Sequence, residues 1–280
     1  MSESPLRPSE SDAFAGWARL VAADREQVER LREDRPASSD YYAPIAGGFR
    51  PGMRDNLEWP VLESLVQAGD TVLDIGAGGG RFAVPLAGRV KRVLAIEPSE
   101  AMRGTLTAAA AEAGVAVEVT DGRWPDAAWA EPVDVTLAAH VLYDIEDLRA
   151  FLDAMERHTR RTCVAMFGQY ARGAQLAPLW AAVHGEPMAT LPALKEFVAV
   201  LGARDRRFEV RTVSSGETAN RVPREDAYRL GRRLLWLAEG SEKERRMRAL
   251  MDEWYGAGDE IAVPAARRFI GVVSWEPPAK

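Results

Sequence analysis

Between Asp12 and Glu33 the apolar side chains return at helical intervals. Phe14, Trp17, Leu20, Val21, Val28 and Leu31 fall near one side, with Asp24, Arg25, Glu29 and Glu33 among the polar positions. The pattern predicts an amphipathic helix that packs on a larger body. A second helix is predicted over Asn56 to Val66, and then the period changes. Thr71 to Ile75 is a short apolar run rich in β-forming residues, and similar runs recur at Arg92 to Pro98, Val115 to Val119, Val133 to Leu142, Thr162 to Phe167, Arg204 to Ser214 and Arg268 to Trp275. Helical patterns separate the earlier runs, among them Asp147 to Thr159. Strands that alternate with helices predict an α/β fold, a doubly wound and mainly parallel sheet of seven strands.

Two stretches are too long to be simple connections. Residues 168–201 and 217–264 each hold at least one helix, the second with stripes of Leu230, Leu234, Leu235 and Leu237, then Met247, Leu250, Met251 and Trp254. Their arginine pairs are interleaved with acidic residues and read as solvated helical faces. Pro36 to Arg54 is rich in Pro, Gly and Ser and carries Tyr41, Tyr42 and Phe49, so it reads as a connection whose aromatics either close over a ligand or pin the loop to the core. The division predicted is 1–55, a helical extension with a lid-like loop, and 56–280, a main domain with helical insertions at about 168–201 and 217–264.

The chemistry centres on Thr71 to Ala87, TVLDIGAGGGRFAVPLA, which reads as strand, tight turn and helix. Glycine lets the chain reverse sharply and lets a ligand approach backbone N–H groups, and the donors at the start of the next helix favour a polar or anionic group. A dinucleotide fingerprint needs glycines at the first, third and sixth positions, and the sixth here is Arg81. Asp74 lies two residues before the first glycine, where a carboxylate can hold a cation or a backbone donor. Glu97 follows it by 23 positions at the end of the next run, about the distance at which a βαβ unit delivers a carboxylate to two ribose hydroxyls.

The ordered set Asp74, Gly76, Gly78, Glu97 and Asp121 resembles the class I S-adenosylmethionine-dependent methyltransferases over about residues 56–169. The resemblance implies a Rossmann-like fold with the last strand inserted antiparallel, and S-adenosyl-L-methionine as cofactor. It implies that Asp74, Gly76 and Gly78 hold the amino-acid and ribose part, that Glu97 binds the ribose hydroxyls, and that Asp121 accepts the adenine amine. It also places Met102 against adenine or in the helix core, and Trp124 beside the ring. Tyr42 joins these as a ligand contact from the lid-like loop. His140 and Tyr143, at the carboxyl end of the fourth strand, fall near the transferable methyl. His140 is then a general base, a backbone contact to the cofactor, or a residue that orients the substrate. Glu186 and Tyr170 are further candidates.

Composition narrows the partners. The chain has 280 residues, 47% hydrophobic and 28% charged, and its formal net charge of -6 disfavours a broad nucleic-acid surface. The single cysteine, Cys163, and three scattered histidines, His140, His158 and His184, offer no metal set. With no signal-peptide core and no apolar run long enough to span a bilayer, a cytoplasmic protein without membrane contact is expected. The expected reaction is methyl transfer to a small-molecule acceptor. The alternatives are a protein methyltransferase, a non-catalytic cofactor-binding module and, from the glycine loop alone, a nicotinamide oxidoreductase.

Overall fold

The structure, a computed structural model, describes residues 8–34, 40, 42–52, 56–126, 131–171, 173–214, 219–256, 258–265 and 269–279. Tyr41 and Arg268 lie outside these residues. The first helix, α1 (Glu10–Leu31), begins where Ser9 accepts the Asp12 N–H. After a 3-10 turn (Ala43–Phe49), α2 (Trp59–Leu65) leads into β1 (Thr71–Ile75), α3 (Ala83–Ala87), β2 (Arg92–Ile96), α4 (Glu100–Ala113) and β3 (Glu118–Thr120). Then come β4 (Val133–Ala139), α5 (Leu148–His158), β5 (Thr159–Gly168), α6 (Ala177–His184), α7 (Leu194–Ala203) and β6 (Phe208–Ser214). The chain ends with β7 (Ala219–Pro223), α8 (Arg224–Leu234), α9 (Glu242–Tyr255), β8 (Glu260–Pro264) and β9 (Phe269–Trp275).

Seven strands form one sheet in the order β3-β2-β1-β4-β5-β9-β6. β1 to β5 pair in parallel, and β9 enters antiparallel between β5 and β6. The chain first builds outward from β1 to β3 and then returns to place β4 on the other side of β1. That reversal opens a crevice at the carboxyl ends of β1 and β4.

Helices cover both faces. Phe14, Trp17 and Val21 of α1 join Phe151, Leu152 and Met155 of α5 and Phe197 and Leu201 of α7 on one side, while Leu62, Phe82, Leu86 and Leu106 fill the other. A buried charge cluster pins the first layer. Glu156 accepts hydrogen bonds from Arg204, Arg206 and the Trp275 indole at 2.9 to 3.1 Å. This explains why the sixth strand starts at Phe208 and not at Arg204: Arg204 ends α7 and turns inward to Glu156. The third strand likewise starts late, at Glu118, because Val115 N–H still caps α4 by donating to Ala110.

The insertions build a core of their own. Leu176, Leu179 and Trp180 of α6 pack with Ala227 and Tyr228 of α8, Met247 and Met251 of α9, and Ile261 and Val263 of β8. The β7–β8 ribbon, absent from the helical expectation for 217–264, joins segments about forty residues apart, so no local periodicity marks it. Val28 and Leu31 of α1 pack on this second core, so one helix spans both. Its inward stripe runs Phe14, Trp17, Val21, Asp24, Val28, Leu31, and Asp24 stands where the helix passes from one core to the other.

Burial, and after it the charge of Asp144, pushes the Asp24 pKa up to about 6. Folding therefore favours the protonated acid, and the stability present below the unfolded pKa is lost as pH rises through the folded one. Asp24→Asn is expected to raise the melting temperature at about pH 8 and to leave it nearly unchanged at about pH 4. Melting curves across that range check this; a difference independent of pH would refute it.

Candidate active site

Chain reversal after β1 forces the backbone into left-handed φ at Gly76, Gly78 and Gly80. The glycines serve different ends. A Cβ on Gly76 would stand 2.6 Å from the Val141 side chain, and one on Gly79 would stand 2.7 Å from the Phe49 carbonyl oxygen, whereas one on Gly78 meets nothing within 4 Å. Gly76 thus admits the chain beyond β4, Gly79 admits the 3-10 turn laid across the loop, and Gly78 faces open space. The helix after the loop is only five residues long, and its Ala83 N–H donates back to Asp74. The expected amino-terminal anion site of that helix is spent inside the protein.

Two carboxylates flank the loop. Asp74 is 1% exposed, and its Oδ2 has no hydrogen-bond partner among the described residues. Burial, then the charge of Glu97, raises its pKa to about 7. Glu97, also buried, accepts the Gly78 N–H at 2.9 Å and the Ser99 N–H at 2.8 Å, yet burial still holds its pKa above the ordinary value. A third carboxylate was not legible in the sequence. Asp40 accepts the Ser99 hydroxyl at 2.8 Å and the backbone N–H groups of Tyr42 and Ala101, which ties the N-terminal segment to the start of α4. The Ser99 hydroxyl, then these backbone donors, hold Asp40 below the ordinary carboxylate range despite the opposing effect of desolvation.

The remaining cofactor-side candidates separate. Met102 is buried in the first turn of α4, and Asp121 is exposed and accepts Arg103 Nη1 at 2.7 Å. Tyr42 meets Phe49 edge-on at 6.1 Å, on the turn that crosses Gly79. Trp124 requires a correction. Its indole is enclosed in the core, donates to the Phe151 carbonyl at 3.1 Å and packs edge-on against His158, so it does not present a face beside an adenine. His158 is partly covered by the same contact.

At the tip of β4, His140 adopts φ 60°, a rare conformation for a residue with a Cβ. Its Nδ1 lies 3.1 Å from the Tyr143 hydroxyl and its Nε2 lies 3.0 Å from Glu58 Oε1. Arg81 donates to the other Glu58 oxygen at 2.8 Å, and the Gly168 N–H donates to Tyr143 at 2.7 Å. Glu58 is fully buried. Burial pushes its pKa up, but the His140 hydrogen bond and the Arg81 charge outweigh that and hold it below the ordinary value. Sequence reading missed Glu58 and met Arg81 only as a misplaced glycine. His184 is held in the second core by the Leu235 carbonyl, and Glu186 is taken by Arg30 and Gln27 of α1. Tyr170, just beyond β5, is exposed.

Among the described residues no group of three or more His, Cys, Asp or Glu is arranged to hold a metal ion, and no helix is long and apolar enough to cross a membrane. The sheet order, with its inserted last strand, and the glycine loop between two buried carboxylates define a Rossmann-like domain of the methyltransferase type. Residues 72–162 match the family described as a methyltransferase domain. A stretch of 101 residues is 28% identical to the ubiquinone biosynthesis O-methyltransferase of Rickettsia canadensis, covering 36% of this chain and 43% of that protein. The chain therefore spans less than half the length of that relative.

Two solved structures share the fold. An S-adenosylmethionine-dependent methyltransferase from Thiobacillus denitrificans, in complex with S-adenosyl-L-homocysteine, aligns with a TM-score of 0.54 and 16% identity over 86% of this chain and 98% of that one. The YcgJ protein of Bacillus subtilis aligns with a TM-score of 0.55 and 14% identity over 80% of this chain and 98% of that one. Residues 72–162 are thus similar to a methyltransferase domain, on a Rossmann-like fold shared with an S-adenosylmethionine-dependent methyltransferase.

The Glu58 cluster yields a direct test. Arg81→Met leaves a charged carboxylate buried with less compensation and is expected to cost about 3 kcal/mol in denaturant unfolding. A loss below about 1 kcal/mol would mean that Arg81 does not hold Glu58.

Proposed function

We propose that this protein transfers a methyl group from S-adenosyl-L-methionine to a small-molecule acceptor, leaving S-adenosyl-L-homocysteine. The observation that carries the reading is the pair of buried carboxylates around an open glycine turn, one of them with an orphaned oxygen. These groups fit the cofactor. Asp74 Oδ2 suits the cationic amino group, the Gly76 to Gly78 backbone suits the chain that bears the sulfonium, and Glu97 retains lone pairs for the ribose hydroxyls. Met102 and Asp121 are assigned to the adenine side and Tyr42 to the covering turn.

The cofactor supplies a methyl on positive sulfur, so the protein's share is alignment, exclusion of water and removal of a proton where the acceptor carries one. His140 is the side chain assigned to the proton. A small acceptor is favoured by the second core, whose segments leave from the carboxyl ends of β5 and β6, the same end of the sheet as the glycine loop. The name of the Rickettsia relative, an O-methyltransferase of ubiquinone biosynthesis, agrees with this class. The cytoplasm is the assigned compartment.

Calorimetric titration with S-adenosyl-L-methionine, with NAD as the control ligand, tests the reading: saturable binding of the first alone is expected, and binding of neither by folded protein would overturn it. Glu97→Ala should weaken the affinity by about 1.5 to 3 kcal/mol. Because Asp74 releases its proton near pH 7, affinity should rise from about pH 5 to about pH 7, and Asp74→Asn should flatten that rise.

A further inference from the structure

The chain Arg81–Glu58–His140–Tyr143–Gly168 has a hydrogen-bond direction fixed at both ends. Glu58, held ionised beside Arg81, can only accept, so His140 Nε2 must carry a proton and donate it. In the neutral ring Nδ1 is then the lone-pair nitrogen, and the Tyr143 hydroxyl must donate to it. At the far end the Gly168 N–H donates to the tyrosine oxygen. Both imidazole nitrogens are engaged, so a proton from outside reaches His140 by way of the tyrosine. Moving the tyrosine proton to Nδ1 leaves an oxygen facing two N–H donors, Gly168 and His140, and an imidazolium facing the Glu58 carboxylate. Each new charge meets a partner already in place.

We infer that Tyr143 is the group that meets the methyl acceptor, with His140 and Glu58 behind it as a positioning relay, and that the acceptor presents a hydroxyl. The inference rests on the methyl-transfer reading above. In the step, the acceptor O–H proton passes to Tyr143 Oη while the tyrosine proton passes to His140 Nδ1. The acceptor oxygen forms its bond to the methyl carbon as the carbon–sulfur bond of the cofactor breaks, and that electron pair stays on sulfur as a neutral thioether. The imidazolium later returns its proton from Nδ1 to the Tyr143 oxygen, and the proton that Tyr143 took from the acceptor leaves to solvent once the product has gone. A carboxylate acceptor has no proton to give and would leave this relay without work.

Tyr143→Phe keeps the ring that packs edge-on against Phe167 at 5.2 Å and removes only the hydroxyl. Glu58→Gln keeps the shape of the carboxylate and removes its charge. The first measurement needs no acceptor. Ultraviolet difference titration of the full chain, wild type against Tyr143→Phe, isolates Tyr143, and its ionisation is expected to shift in Glu58→Gln. A titration insensitive to Glu58 would overturn the relay.

The second measurement offers the cofactor-loaded protein simple phenols and alcohols beside benzoates. Transfer to the hydroxyl compounds is expected, with kcat about 100-fold lower in Tyr143→Phe and cofactor affinity and acceptor KM within about 2-fold of wild type. Equal turnover by Tyr143→Phe, transfer to benzoates alone, or no transfer to any hydroxyl compound by protein that binds the cofactor would each overturn the inference. Failure to bind the cofactor would instead overturn the methyl-transfer reading, while the titration still judges the relay.

Discussion

Glu58 is a carboxylate with no exposed surface, placed at the start of α2 between the glycine loop and the tip of β4. A charge there is tolerable only because Arg81 and His140 answer it, and removing a partner from such a buried pair costs about 3 to 5 kcal/mol. The consequences spread along the chain. Arg81 must reach back from the loop, so the loop's exit is fixed. His140 must turn its ring inward, so the tip of β4 takes a left-handed φ. Tyr143 then bridges to the end of β5 through the Gly168 N–H. One buried charge thereby sets the relative positions of four segments that border the crevice.

Asp74 makes the contrast plain. It is as deeply buried as Glu58, but Glu97 beside it is acidic and one of its oxygens is unanswered, so its pKa moves up instead of down. Burial acts alike on both acids; the partners decide the direction. The answered charge builds structure, and the unanswered one is suited to a cation brought from outside. Asp24 repeats the second pattern in milder form, on a partly buried position of α1 between the two hydrophobic cores.

The alternation of short apolar runs with helical ones was enough to read the parallel sheet, because strand and helix periods are local properties of the chain. Spacing placed Asp74, the loop glycines and Glu97 at the ends of β1 and β2, since a βαβ unit has a nearly fixed length. Trp124 shows where local reading fails. Its distance from Asp121 along the chain said nothing of which way the indole turns, and the core around Phe151 claimed it. The β7–β8 ribbon failed for a related reason, because its two halves are each featureless until they meet.

The sequence by itself determined the sheet, the crevice at the ends of its strands and the acidic residues that border the glycine turn, all consequences of period and spacing over a few dozen residues. Only the tertiary structure decided which charges answer which. Glu58 and His140 are 82 positions apart, and Asp40 and Ser99 are 59 apart. Hydrogen bonds and ion pairs form between groups that packing brings within about 3 Å, and no periodicity along the chain encodes a meeting at that separation.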